Sequence, residues 1–161
     1  MKLSICCIGK LKDDAERSIV QRYLRRFEQL APSLGLAASV PVMELPESRA
    51  GNAVARKSAE AAEIKKKMPA DARLVMLDEH GKTPTSAAFA GQLARSRDEG
   101  VRNFCIIIGG PDGLDPEFLR TASICLSLGR MTLPHGLARV VLAEQLYRAA
   151  TILAGHPYHR E

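Results

Sequence analysis

Short, almost unbroken apolar runs alternate along this chain with longer stretches whose apolar positions recur every three or four residues. The runs are Lys2–Ile8, Ala37–Leu45, Arg73–Asp78, Asn103–Ile108 and Ile124–Leu128, and each reads as a strand. RLVMLD, at Arg73–Asp78, has the continuous character of a strand buried on both faces. Between the runs, Asp13 or Asp14 opens an amphipathic helix with Ile19, Val20, Tyr23, Leu24, Phe27 and Leu30 on one stripe. Pro32 to Gly35 breaks it. A second helix covers Ala53–Lys67, after a polar stretch from Pro46 to Asn52 that reads as a mobile loop. Thr83-Pro84 places a cap and a first-turn proline before a third helix closed by Gly100. Asp115-Pro116-Glu117 starts a short fourth helix running to about Ala122. Pro134-His135 opens a long last helix, apolar around nearly its whole circumference.

Strand and helix alternate throughout, which predicts an α/β fold: a mainly parallel sheet flanked by helices on both sides, with residues 1–161 as a single domain. In such sheets ligands bind beyond the carboxyl ends of the strands. Three junctions fall there: the turn after Leu77-Asp78, the loop Gly109-Gly110-Pro111-Asp112-Gly113, and the segment Gly129–Pro134.

Composition adds little to this picture. The chain has 161 residues with 46% hydrophobic and 25% charged, ordinary for a soluble globular protein. No run approaches the ~20 apolar residues that cross a bilayer, and the N-terminus reads as a first strand rather than a signal peptide, so a cytoplasmic location is expected. Cys6, Cys7, Cys105 and Cys125 lie inside apolar runs without Cys-x-x-Cys spacing and read as buried thiols, with no metal site. The net charge of +5 is compatible with a polyanionic partner without demanding one. Arg17, Arg22, Arg25 and Arg26, off the first helix's stripe, suit either a solvated face or phosphate contact. Lys65-Lys66-Lys67 suits the negative end of its helix dipole.

The candidate chemistry is concentrated late in the chain. No G-x-G-x-x-G follows the first strand and no G-x-x-x-x-G-K-[ST] occurs, so the usual dinucleotide and P-loop signatures are missing. The loop at Gly109–Gly113 is either a tight turn or a place where a ligand meets backbone directly. Gly129–Pro134 offers backbone amides to a flat heterocycle. Glu144 and Arg148 are four apart on a helix and read as a structural pair. The tail, His156-Pro157-Tyr158-His159-Arg160-Glu161, is either a polar end without a role or a set of stacking, cationic and proton-moving groups.

GGPDGL, LSLGRMTLPH, LARVVLAEQLYRA and HPYHRE, together with KLSICCIGK, YLRRF and LDEHGK, resemble the RlmH family of SPOUT-superfamily methyltransferases over essentially the full length. That resemblance implies a C-terminal trefoil knot, an obligate homodimer, and methylation of N3 of a pseudouridine in 23S ribosomal RNA, on assembled ribosomes. It implies S-adenosylmethionine held by Leu77, Gly110 and the segment Gly129, Arg130, Met131, Thr132, Leu133, Pro134. Tyr158, His159 and Arg160 are then expected near the methyl donor in a composite site, with His159 accepting the proton, Arg160 facing the ring carbonyls and Tyr158 holding the base. Two rivals stand beside it: a non-catalytic RNA-binding module, and a SPOUT enzyme acting on transfer RNA.

Overall fold

Two neighbouring strands buried on both faces organise the molecule: the run at Arg73, as expected, with Val75 in one core and Met76 in the other, and β4 (Asn103–Ile108) at the centre. Phe104 through Ile108 are all buried. The protein is described here by a computed structural model covering residues 1–159. β4 lies between β1 (Lys2–Ile8) and β3 (Arg73–Lys82); β2 (Val42–Leu45) and β5 (Ile124–Leu126) form the edges, in the order β2-β1-β4-β3-β5. Every pairing is parallel. Ile106 pairs with Ile5 on one side and Val75 on the other, so three strands run in register through the middle of the sheet.

Alternation along the strands sorts side chains to two faces. Leu3, Ile5, Cys7, Val75, Phe104, Ile106 and Ile108 face the larger core, which includes residues of α1 (Asp14–Leu30), α3 (Ser86–Asp98) and α5 (His135–Leu153). Cys6, Ile8, Met76 and Ile107 face a smaller core closed by α2 (Ala53–Lys67) and α4 (Pro116–Leu119). α5 packs against both α1 and α3. Leu142, Ala143, Leu146, Ala149 and Ala150 are buried, while Leu137 on its first turns is exposed.

Five boundaries differ from the pattern. β2 begins at Val42 rather than Ala37. Upstream the backbone is tied elsewhere: Ala37 N–H to the Met1 carbonyl at 2.9 Å, and Val40 N–H to Glu28 Oε1 at 2.8 Å. β3 continues past the expected turn at Asp78 to Lys82, because Lys82 rejoins Leu126 after a register shift and its carbonyl accepts from Ser127 N–H at 2.8 Å. α3 is capped by Thr85, whose side chain accepts from Ala88 N–H at 3.1 Å, two residues later than Thr83. α4 is a single turn and β5 ends at Leu126.

The β3–α3 connection crosses the exit of β5 at close quarters. A Cβ on Gly81 would lie 2.6 Å from the Leu126 carbonyl carbon and 2.8 Å from Ser127 N, so only glycine passes there. Beyond the crossing, Ser86 Oγ donates to Gln145 Oε1 of α5 at 2.7 Å. Among the described residues, no helix is long and apolar enough to cross a membrane.

Candidate active site

Three strands end level. Leu77 of β3 pairs with Ile108 of β4 and with Leu126 of β5, and these side chains floor a cleft of about 300 Å³. Its walls are Asp78 and Glu79 of β3, the loop from Gly109 to Gly113, and the segment from Ser127 to Leu133. His135 and Ala138, three apart at the start of α5, close one side. The cleft stands where ligands enter parallel sheets.

The glycine loop is held from outside. Gly113 N–H donates to the Gly110 carbonyl at 2.9 Å, closing a turn. A Cβ on Gly110 would come within 2.9 Å of Ile8 Cγ2 and 3.2 Å of Glu60 Oε2, so the backbone lies against β1 and α2. Arg56 of α2 grips Asp112 with two bonds, Nε at 2.7 Å and a terminal nitrogen at 3.2 Å, and also reaches the Ala50 carbonyl at 3.2 Å. This hydrogen bond holds the Asp112 carboxyl below its usual range. Buried Glu60 accepts from Ser48 N–H at 2.9 Å. The stretch from Pro46 to Asn52, expected to be mobile, is thereby pinned to the loop's support by Ser48 and Ala50.

The opposite wall is irregular backbone. Ser127 Oγ donates to the Gly129 carbonyl at 2.8 Å, and among the described residues no backbone hydrogen bond ties Leu128 through Leu133 to a neighbouring element. Gly129 has φ 148° and Met131 is 83% exposed. A ligand in the cleft can therefore reach peptide groups that the fold leaves uncommitted.

The lining decides what class of ligand fits. Asp78, Glu79 and Asp112 line it, the last with its carboxylate held by Arg56, and among the described residues no lysine or arginine does. A phosphate-bearing ligand is disfavoured there, whereas a cation with an apolar body is favoured. S-adenosylmethionine carries a sulfonium, an ammonium and a flat adenine, so the residues present fit it: the heterocycle against Leu77, Ile108 and Leu133, the charge toward the carboxylates.

Of the expected cofactor residues, Leu77, Gly110, Gly129, Met131, Thr132 and Leu133 line the cleft; Arg130 and Pro134 belong to the same segment but do not. Glu79, Ser127, His135 and Ala138 line it as well and were not singled out for the cofactor. His135 and Ala138 were findable, because a proline-opened helix after a strand end points its first turn at the cleft.

Tyr158 and His159 do not line the cleft. Tyr158 folds back on α5, its ring 4.6 Å from that of Tyr147, with the Arg148 guanidinium 5.0 Å from its centroid and its hydroxyl 3.2 Å from Glu144 Oε1. Burial, then Tyr23 and the Glu144 charge, push its phenol up to about 12. Glu144 and Arg148 form the expected structural pair, at 2.6 and 2.9 Å, and it is this pair that receives the tail. His159 is half-buried, and its Nδ1 has no partner among the described residues. Arg160 lies outside the described residues.

The cysteines are free. Burial pushes the Cys6 thiol up to about 11 and Cys7 to about 12, so neither is a nucleophile near neutral pH.

A family model described as "Predicted SPOUT methyltransferase" matches residues 1–159. The chain belongs to the SPOUT methyltransferase family. Among the SPOUT methyltransferases it resembles are proteins named ribosomal RNA large subunit methyltransferase H. That of Allorhizobium ampelinum is 51% identical over 160 residues, covering 99% of both chains. Those of Brucella anthropi and Rhodopseudomonas palustris are 49% and 51% identical with the same coverage. Among solved structures, the SpoU methyltransferase AviRb from Streptomyces viridochromogenes, in complex with AdoMet, is 15% identical with a TM-score of 0.39, covering 92% of this chain and 59% of its own. Membership in the SPOUT family rests on the sequence matches.

Proposed function

We propose that this protein transfers a methyl group from S-adenosylmethionine to N3 of a pseudouridine in large-subunit ribosomal RNA. The observation that carries this reading is the cleft itself: a floor from three strand ends, a lining with acidic residues and, among the described residues, no lysine or arginine, and a wall of uncommitted peptide groups. Full-length similarity to proteins named as large-subunit methyltransferases supplies the acceptor class.

When bound, the sulfonium supplies an activated methyl group, so this chain's residues need only place the acceptor and manage one proton. Leu77, Gly110, Gly129 and Met131–Leu133 would hold the cofactor, with Asp78 and Glu79 beside its charge. The N3–H of a uracil-type ring lies between two carbonyls and is a poor nucleophile until the proton leaves. His159 takes that proton, Arg160 faces the ring carbonyls, and Tyr158 holds the base. Because Tyr158 packs against its own α5, away from its own cleft, these residues serve the cleft of a second copy, and the working unit is a homodimer acting on the ribosome. The same reading includes a trefoil knot. It is supported by the close approach of Gly81-Lys82 to Leu126-Ser127 and by the bond from Ser86 to Gln145 of α5.

Subunit mixing tests the shared site. His159→Ala removes the proton acceptor, and Thr132→Trp fills the cleft; each homodimer is expected to lose nearly all methyl transfer to ribosomes lacking the modification. Mixed dimers regain activity, because one cleft then has both an open pocket and an intact tail. No recovery on mixing, or full activity in His159→Ala, refutes the shared arrangement. Wild-type protein that transfers no methyl to such ribosomes refutes the function.

A further inference from the structure

The open edge of the sheet beside the cleft carries a chemistry opposite to the cleft's own. β5 is an edge strand of three residues, paired only with β3. Along it runs a groove of about 530 Å³ lined by Arg73, His80, Lys82, Arg95 and Glu99, among others. It starts where the cleft stops, since Glu79 lines one and His80 the other. A second hollow of about 390 Å³ continues it past Arg73 and Ser123 to Arg102.

The charges along this track do not cancel. Glu99 is taken up by Arg73 at 2.7 Å; Asp71 keeps its charge, accepting from the neutral amide of Asn103 at 2.8 Å, and is outnumbered by the cations that remain. Lys82, Arg95 and Arg102 are exposed and make no ion pair among the described residues. None of the three side chains has a structural role that explains its charge: the bonds formed at Lys82 and Arg102 use their carbonyls. The groove also lacks the apolar anchor that a protein interface centres on. The exposed large hydrophobics Val42, Val54, Met131 and Leu137 all lie elsewhere. What remains is a cationic, hydroxyl- and amide-lined channel at a strand edge, suited to a polyanion's backbone.

We propose that the groove along β5 is the track for the RNA strand flanking the target nucleotide, with Lys82, Arg95 and Arg102 as its phosphate contacts. This rests on the methyl-transfer reading above and deepens it. Sulfonium and phosphate are sorted at the Glu79–His80 step, one cation-seeking and the other anion-seeking. A base delivered to the cleft thus arrives with its backbone already held on the basic side.

The test is RNA affinity across charge reversals. Lys82→Glu with Arg95→Glu is compared with Lys66→Glu with Lys67→Glu, which changes net charge equally on the last turn of α2. Large-subunit ribosomal RNA is the probe, and S-adenosylmethionine affinity by calorimetry reports whether the cleft is intact. The groove variant is expected to bind RNA roughly tenfold or more weakly, with a log–log salt dependence shallower by about two, and unchanged cofactor affinity. In steady state on ribosomes its KM rises while kcat is largely kept. Equal losses in both variants mean net charge alone matters and overturn the track. RNA affinity unchanged in the groove variant overturns it too, including the case where a protein partner occupies the edge. Wild-type protein that binds cofactor but never methylates ribosomes instead fails the function on which the track rests.

Discussion

Arg139, on the second turn of α5, is 5% exposed, yet it spends its guanidinium on the far end of the sheet: Glu44 Oε1 at 2.6 Å, and the Ile8 and Gly9 carbonyls at 3.1 and 2.7 Å. It fixes the start of α5, and with it His135 and Ala138, to the ends of β1 and β2. Truncation leaves a half-buried carboxylate and two carbonyls unanswered. Arg139→Ala is therefore expected to destabilise the fold by about 3 kcal/mol in urea unfolding, with Glu44→Gln costing less because the Leu11 N–H bond at 2.8 Å can survive. Arg56 acts on the cofactor loop rather than the core. Its pair with Asp112 is exposed, so Arg56→Ala should weaken S-adenosylmethionine binding only by a factor of about two to five. The sign with pH follows from the depressed Asp112 carboxyl: the clamp is intact above the ordinary carboxylate range and is lost as pH falls through the lowered value. Cofactor affinity measured down the acid limb should fall in wild type and change less in Arg56→Ala. None of these partners was legible in the chain, because Arg56 and Asp112, or Glu44 and Arg139, meet only after the sheet brings distant segments together.

At the scale of elements the chain was largely readable, since each helix start carries its own signal. Asp13, Asn52, Thr85 and Asp115 all cap with a side chain that accepts an N–H from the residue three along. Thr85→Ala should cost about 1 kcal/mol, and the loss should concentrate where α3 meets the β5 crossing. Hydrogen exchange would show faster amides at Ala88 and along Gly81–Ser86 than in β4. Where the pattern misled, tertiary bonds overrode local preference. Apolar 37–41 is tied to Met1 and Glu28 instead of a strand neighbour, and polar 79–82 continues β3 because Ser127 supplies a donor. The order of strands was not legible either; β4 and β1 pair across the whole intervening chain, which no local spacing records.

The whole molecule keeps its acids and bases apart: carboxylates around the cleft, unpaired cations along the β5 edge, and an aromatic–arginine cluster where the tail lies on α5. The tail's docking has a readable titration. Tyr158's phenol is raised to about 12, so the stabilising neutral form is fully present below the ordinary phenol range and is lost as pH climbs through the raised value. Ultraviolet titration should show one of the three tyrosines ionising late, and Tyr158→Phe should remove that late phase. The cleft's position could be foreseen from strand ends and glycines. The tail's place could not, because its contacts with Tyr147, Arg148 and Glu144 depend on how the chain turns after α5. The close passage at Gly81 has one further implication. Two walls of the cleft precede β5 in the chain, but the third, from Ser127 to Leu133, follows it directly and leaves the sheet past the close approach to Gly81. Until β5 pairs with β3 the cleft thus lacks Leu126 from its floor and one whole wall, so closing the sheet edge and forming the pocket are a single event.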